Sequence, residues 1–472
     1  MKKILSLIFL TGFILCFAYL TFYIFTDGKV NTYQIHKPAY EGYVCKNRFS
    51  LGEVMPLSYA QMGCPQGYIA ASSTKKYIVV GTDNGRILLF DNQGNLKWEK
   101  GNAIDKIMSF SFMGEEHLLI GEEGPGAAVK MLEVDSGREL WRLNLGEYML
   151  RDIENKEYPG VTDIKVDKNG EILVTVMSYK LKPRYVREYY SLLFSIGPNG
   201  TMKQRYPKDS YIEGYINGIT VDNENSNIYL PLANYYDRLF KNDYSSQLYC
   251  IDKNLDKTIW RLKLEKVNPF RTAVIRTLPL VVKNHCFVLY GDGRWLYLTK
   301  DGFIKEKGRV IQADNMGDFF INATPVKLFL HKEMICFSTS NSHNTINSKI
   351  PVNVEQSIAN SIFIFDENMQ FKRRVKMQGM IGGRTGSVDF EQECMIVPVG
   401  MNNITCDNSV FGINCIDYMT GSEKFKIPLE GPCLAVMSTQ NQKYIYAIEA
   451  PIKGKNGVIH GAYQLLIFEK RD

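Results

Sequence analysis

YIVVGTDNGRILLFDNQGNLKWEK, residues 77–100, reads as an apolar strand, a Gly-Thr-Asp-Asn-Gly turn, a second strand, an Asp-led turn containing Gly, and a third strand carrying Trp98. The same order returns along the chain. Residues 130–145 repeat its second half as KMLEVDSGRELWRLNL, residues 247–264 as QLYCIDKNLDKTIWRLKL, and residues 411–428 as FGINCIDYMTGSEKFKIP, with Phe425 in the Trp position. Weaker copies are SLLFSIGPNGTMKQRY (191–206), WLYLTKDGFIKEK (295–307) and SIFIFDENMQFKRRV (361–375). Each copy follows one physical logic. Five-residue apolar runs are long enough for strands and too short for helices. The Asp side chain bonds nearby backbone N–H groups, and Gly accepts positive φ. The Trp or Phe that follows offers a large surface to a neighbouring sheet. A unit of this size cannot bury both of its faces alone, so copies must stack.

Strand starts near Tyr77, His117, Glu171, Asn227, His285, Met334, Cys394 and Tyr444 are spaced 40 to 60 residues apart. That period suits four-stranded blades arranged around an axis. Eight starts predict eight blades, with seven as the competing count. Only Glu-Lys-Arg-Asp follows Phe468, too little for a last outer strand. A segment between about Thr32 and Val54 is therefore expected to supply it and close the ring, which removes exposed sheet edges.

The cassette resembles the PQQ-like (quinoprotein-like) β-propeller repeat, in which a Val-Gly-Thr strand precedes Gly-x-Leu/Ile, an Asp turn with Gly, and Leu-Trp. GTDNGRILLFDNQGNLKW (81–98) and EVDSGRELW (133–141) carry the likeness, which extends over roughly residues 60–470. The resemblance implies an all-β propeller. It leaves function open, because one fold hosts many activities. Quinoprotein dehydrogenases of this look use PQQ and calcium, and their alcohol branch carries adjacent cysteines and a Trp floor. This chain has no adjacent Cys pair, and three of its four Trp occupy cassette positions, leaving Trp295. No cofactor is expected, neither PQQ nor calcium. A second group is the non-catalytic scaffold lipoprotein of the bacterial outer-membrane assembly machine, the nearest in style. A third, the propeller arylsulfotransferases, relies on a funnel histidine, for which His343 and His460 are the loop candidates.

Residues Ile4 to Phe25, ILSLIFLTGFILCFAYLTFYIF, run for 22 residues without a charge, long enough to cross a bilayer as a helix. Lys2 and Lys3 precede it, which by the positive-inside rule leaves the amino terminus in the cytoplasm. The competing reading is a cleaved signal peptide. Its apolar stretch should be shorter and end in small residues, whereas this one ends in Tyr23, Ile24 and Phe25. The expected organisation is a cytoplasmic 1–3, a signal-anchor helix 4–25, a linker with the ring-closing strand 26–59, and a propeller 60–472. The protein is thus expected to be single-pass, with an extracytoplasmic (periplasmic or extracellular) body.

Other classes find little support. The net charge of +6 contains no run of five like charges, so no nucleic-acid partner is expected. GxSxG, P-loop, HExxH and CxxC patterns are absent. Among ten cysteines, Cys286, Cys336 and Cys394 lie in apolar runs and read as core thiols. Cys45 and Cys64, and Cys406 and Cys415, lie in stretches that read as loops, where an oxidising compartment would permit disulfides. The run Asp222 to Asn225 reads as a turn, lacking the ligand pattern that follows in a calcium loop.

Loop lengths carry the functional signal. The connection between second and third strands is brief at Thr82–Gly85 and Gly291–Arg294. It is long at 178–188, 234–246, 339–360, 400–410 and 449–462. Equivalent loops emerge on one face of a ring, and clustered insertions often build a binding surface. YKLKPRYVREYY (179–190) and NYYDRLFKNDYSS (234–246) combine charge with aromatics, and Tyr and Arg are common interface anchors. The candidate binding residues are Arg184, Tyr185, Arg187, Tyr189, Tyr235, Tyr236, Arg238, His343 and His460. The expected function is a non-enzymatic, membrane-anchored binding or scaffold module for a protein or cell-envelope component. The alternative is a propeller enzyme, PQQ-dependent or arylsulfotransferase-like.

Overall fold

The computed structural model describes residues 42–52 and 68–471, apart from 83–84, 102–105, 151–157, 183–185, 217, 235–244, 264–276, 283–284, 291–293, 310–322, 342–359, 378–380, 382–385, 401–410 and 454–458. Regular structure in these residues is strand, with short 3-10 turns such as Gly146–Tyr148. The first sheet orders Tyr68–Ala71, Tyr77–Gly81, Ile87–Asp91 and Leu96–Lys100 as an antiparallel meander. The pattern recurs over 106–144, 160–206, 215–263, 280–309, 323–376 and 387–428. The meanders 106–144 and 160–206 touch through the single pair Gly160↔Glu123. In 215–263 the first position is shared by Tyr215–Ile216 and Thr220–Val221.

The last sheet takes only three strands from the carboxyl-terminal region, Cys433–Ser438, Tyr444–Glu449 and Tyr463–Lys470. Its fourth is Tyr43–Gly52, which pairs antiparallel with Tyr463–Lys470 from Tyr43↔Lys470 to Gly52↔Tyr463. Each cassette thus supplies second, third and fourth strands. The strand starts read from sequence open second strands, and the first strands come from the less apolar stretches before them.

Alternation explains how the sheets pack. Successive side chains of a strand point to opposite faces. In Tyr77–Gly81, Tyr77 and Val79 join Leu118 and Ile120 of the next sheet, while Ile78 and Val80 join Tyr446, Ile448, Leu465 and Ile467 of the closing sheet. The same division continues round the chain. Val129 shares a core with Val174, Leu193 with Leu230, Cys250 with Val288, Phe287 with Phe337, Ile364 with Val397, and Ile413 with Ile445. Every sheet therefore shares one apolar face with its predecessor and the other with its successor, and the succession returns to its start.

The tryptophans lock neighbours together. Trp98, Trp141 and Trp260 donate through Nε1 to Val134 O (2.7 Å), Pro198 O (2.9 Å) and Lys300 O (2.7 Å), each on the next sheet's last turn. The indoles lie on Gly137, Gly200 and Gly302, all at positive φ. A Cβ at Gly200 would sit 2.7 Å from Trp141 Cδ2. The glycine of the cassette thus serves two demands: the turn's backbone and the preceding unit's indole. The Asp of the cassette behaves as its chemistry dictates, Asp91 Oδ1 accepting from the N–H groups of Gln93 (2.8 Å) and Asn95 (2.9 Å).

The loop reading of two cysteines changes. Cys45 and Cys415 are not in loops. Cys45 lies in the closing strand, Cys415 is buried in Gly412–Asp417, and both are free thiols; Cys64 and Cys406 fall outside the described residues. The apolar segment 4–25 and the linker up to residue 41 also lie outside them; among the described residues no helix is long and apolar enough to cross a membrane.

Burial pushes the Cys250 and Cys336 thiols up to about 12 and raises those of Cys286 and Cys433 as well. The neighbouring Cys394 thiol, then burial, raises that of Cys415. Thiolate is the reacting species. Iodoacetamide at pH 8 is accordingly expected to leave these cysteines and the buried Cys394 unmodified in the native protein and to label them after denaturation. Peptide mass spectrometry reads the result.

Candidate binding face

The meander gives the ring two unlike ends. Turns from first to second and from third to fourth strands share one end and are tight. Examples are Ser72 to Tyr77, closed by Ser72 N–H to Tyr77 O (2.9 Å), and Thr299 to Phe303, closed by Thr299 N–H to Phe303 O (2.9 Å). The stretch from Asp222 is one of these. Asp222 Oδ1 accepts from Glu224 N–H (2.9 Å), and the Lys300 ammonium bridges Asp222 (2.9 Å) and Glu224 (2.6 Å) from the next sheet. Connections from second to third strands, and from fourth strands to the next sheet, emerge at the other end.

The longest described feature of that other end is an arm. Ile172–Lys182 and Val186–Ile196 pair in unbroken register from Ile172↔Ile196 to Lys182↔Val186. The equivalent strands of the first sheet, Tyr77–Gly81 and Ile87–Asp91, are five residues each. The inner neighbour of the arm stops at Gly160↔Met177, and the outer one at Leu193↔Tyr206. Ile212–Glu213 then pairs with Ser191 and Tyr190 and braces the base. Gly214 N–H donates to Tyr189 O (2.8 Å), and Ser191 Oγ donates to Gly214 O (2.7 Å).

Tyrosines collect where the arm leaves the ring. Tyr179 and Tyr189 face each other across the pair, centroids 5.7 Å apart, and Tyr189 meets Tyr215 edge-on at 6.0 Å. Tyr190 meets Tyr211 edge-on at 6.0 Å and donates to Glu188 Oε2 (3.0 Å). Tyr211 donates to Tyr148 O (3.0 Å), and the Arg205 guanidinium lies 5.7 Å from the Tyr148 ring centre. These rings are half-buried: packed enough to hold their orientation, open enough to touch another molecule. Rigid amphipathic rings lose little freedom on binding.

Of the residues singled out from sequence, Tyr189 is in this cluster. The backbone of Arg187 is opposite Leu181 in the arm. Arg184 and Tyr185 lie outside the described residues, as do Tyr235, Tyr236, Arg238 and His343. Asn234↔Ser245 is the last pair before the second insertion. His460 is in the short strand Ile459–His460, paired with Ile452 in the insertion of the closing sheet. The sequence reading passed over Tyr148, Tyr211 and Tyr215, which sit between cassettes. Their signal was topological: a connection from a fourth strand to the next sheet emerges at the same end as the long insertions.

Solved structures share the architecture. BamB from Moraxella catarrhalis is similar with a TM-score of 0.52 at 10% identity, over 90% of this chain and 99% of that one. Sqt1 from Saccharomyces cerevisiae is similar with a TM-score of 0.54 at 11% identity, over 91% and 98%. Both are β-propellers. This chain is a β-propeller. No family model matches it, and no curated protein sequence does.

The residues of this propeller do not match the features that mark the alcohol branch of the quinoprotein dehydrogenases. The chain has no adjacent cysteines. Trp98, Trp141 and Trp260 are committed to interlocking turns, and Trp295, 6% exposed, packs against Phe287 in the core shared by the sheets 280–309 and 323–376. Each of the four tryptophans is accounted for by packing between sheets. Among the described residues no group of three His, Cys, Asp or Glu side chains could hold a metal ion.

Proposed function

We propose that this chain is a non-enzymatic binding module: an eight-bladed, PQQ-like propeller anchored by residues 4–25, with its body outside the cytoplasm, that engages a protein or cell-envelope component through its insertion-bearing end. The observation that carries the reading is the braced arm with tyrosines at its root. Nothing in the ring's own packing calls for eleven-residue strands at that one position. The succession of four-stranded sheets with shared cores supports the blade count. The indole-on-glycine contacts support the PQQ-like label as a statement of shape.

The test is site-specific photocrosslinking in cells. With p-benzoylphenylalanine at Tyr185 or Tyr189, both positions should yield adducts to one partner, and Lys97, at the tight-turn end, should not. Truncating an interface anchor commonly costs about 2 kcal/mol, roughly a thirty-fold loss of affinity. Tyr189→Ala, carried with the probe at Tyr185, should cut the adduct accordingly while leaving the melting curve near that of the parent. Adducts of equal yield at all three positions would remove the case for a binding end.

A further inference from the structure

The tight-turn end carries a second signal. In the cassette, the residue after the turn glycine is polar in four copies: Asn95, Arg138, Thr201 and Ser422. In the fifth it is Phe303, 72% exposed, followed by the exposed Ile304. A turn needs no phenylalanine for its own geometry. Phe371, 55% exposed, follows the corresponding turn of the sheet 323–376. Ile259, Phe390 and Val44 are exposed beside the equivalent ends of 215–263, 387–428 and the closing sheet. These side chains belong to consecutive sheets, so they form an arc along one rim of the ring, not a scatter over its surface.

The chain joins the ring at this same end. Tyr43 pairs with Lys470, its hydroxyl donates to Gln442 O (3.2 Å), and Arg471 N–H donates to Gly42 O (2.9 Å). Gln442 belongs to the tight turn before Tyr444, closed by Thr439 N–H to Tyr444 O (2.9 Å). The amino-terminal segment therefore leaves from the tight-turn end, opposite the arm. Residues 26–41 separate the ring from the apolar stretch Ile4–Phe25. Even fully extended, such a link reaches no further than ~55 Å. A tether of that length holds the attached end at high effective concentration beside whatever the apolar stretch occupies.

We infer that the tight-turn rim around Phe303, Ile304 and Phe371 rests on the lipid bilayer, its exposed apolar side chains entering the interface, so that the arm points away from the membrane. The inference rests on the membrane-anchor reading proposed above. Apolar side chains distributed along an arc suit a fluid surface that closes around each of them. The rim and the tether then act together, since two weak membrane contacts on one body reinforce each other. The arrangement also leaves the insertions free for a partner.

The experiment uses the full chain in vesicles of phosphatidylcholine and phosphatidylglycerol. p-Benzoylphenylalanine replaces Phe303, Phe371 or Tyr189; after irradiation, mass spectrometry reads lipid adducts. Phe303 and Phe371 positions should give several-fold more adduct than the Tyr189 position. Equal yields, or adducts to a second copy of the chain in place of lipid, would overturn the bilayer as occupant of the rim. Alkaline carbonate extraction of the same vesicles reads the anchor separately. Protein retained without adducts at 303 and 371 defeats the rim proposal alone, whereas protein released by carbonate defeats the anchor on which it rests. Phe303→Ser, at so exposed a position, should melt like the parent and yields the same comparison with the probe at 371: lower adduct supports a shared rim contact, unchanged adduct opposes it.

Discussion

Deleting residues 43–52 is expected to abolish the cooperative unfolding transition of the propeller. The deletion strips the outer strand from the closing sheet and leaves Tyr463–Lys470 with a bare edge. It also removes Tyr43, 2% exposed, from the core shared with the sheet 387–428, and Leu51, 1% exposed, from the core shared with the first sheet. Truncating one large core side chain costs about 2–5 kcal/mol. Two such losses are comparable to the ~5–15 kcal/mol that separates a folded domain from its unfolded chain. The pairing of eight residues with Tyr463–Lys470 goes with them. Circular dichroism melts should show a broad, early transition, and size-exclusion chromatography should show association through the bare edge. Restoration is the sharper half of the prediction. Arg471 N–H already bonds Gly42 O at 2.9 Å, so the strand and the carboxyl-terminal end are neighbours. Appending residues 42–52 after Asp472 through a short glycine-containing turn should recover the parental melt. A variant that stays unfolded despite the appended strand would mean that closure is not what the segment contributes.

The second large effect concerns the interlocking turns. Gly302→Val should destabilise the protein by ~2–5 kcal/mol, from about 1–2 for an L side chain at positive φ and about 1–3 for overpacking. Gly302 has φ +84°, and a Cβ there would meet Trp260 Cδ2 at 2.6 Å. Trp260 cannot retreat without giving up its bond to Lys300 O (2.7 Å). Because the two costs have different origins, a double-mutant cycle separates them. In a Trp260→Ala background the overpacking cost should vanish and the backbone cost remain, so Gly302→Val should then cost only ~1–2 kcal/mol. Urea denaturation of the four proteins measures the cycle. Additive costs would show that the indole and the glycine are not coupled. Trp141 with Gly200 supplies an independent repetition of the experiment on another pair of sheets.

Much of this molecule is legible in its sequence because much of it is local. The strands follow from apolar runs of five residues, and the turns from Asp and Gly at fixed offsets, interactions that reach two to four residues. The long connections could be found by their length alone. Less visible were the first strands, such as Tyr68–Ala71 and Leu280–Val282, which lie ahead of the cassette and share none of its turn chemistry. Cys415 was misread for a related reason: Asn414 and Asp417 beside it suggest a loop, yet Gly412–Asp417 pairs on both edges and packs on both faces.

The sequence by itself determined that this chain is a stack of similar antiparallel units and that several of its connections exceed what the stacking needs. Only the tertiary structure decided which units share a core, why Gly302 must lack a side chain, and where Tyr148, Tyr211 and Tyr215 come together. It also decided at which end the chain joins the ring, and so which end lies opposite the arm. The physical reason is separation. Hydrogen bonds of a turn connect neighbours in sequence, whereas Tyr43 meets Lys470 across 427 residues, and Trp260 meets Gly302 across 42. Contacts of that kind leave no spacing in the chain to read, because their distances are set by the closure of the ring.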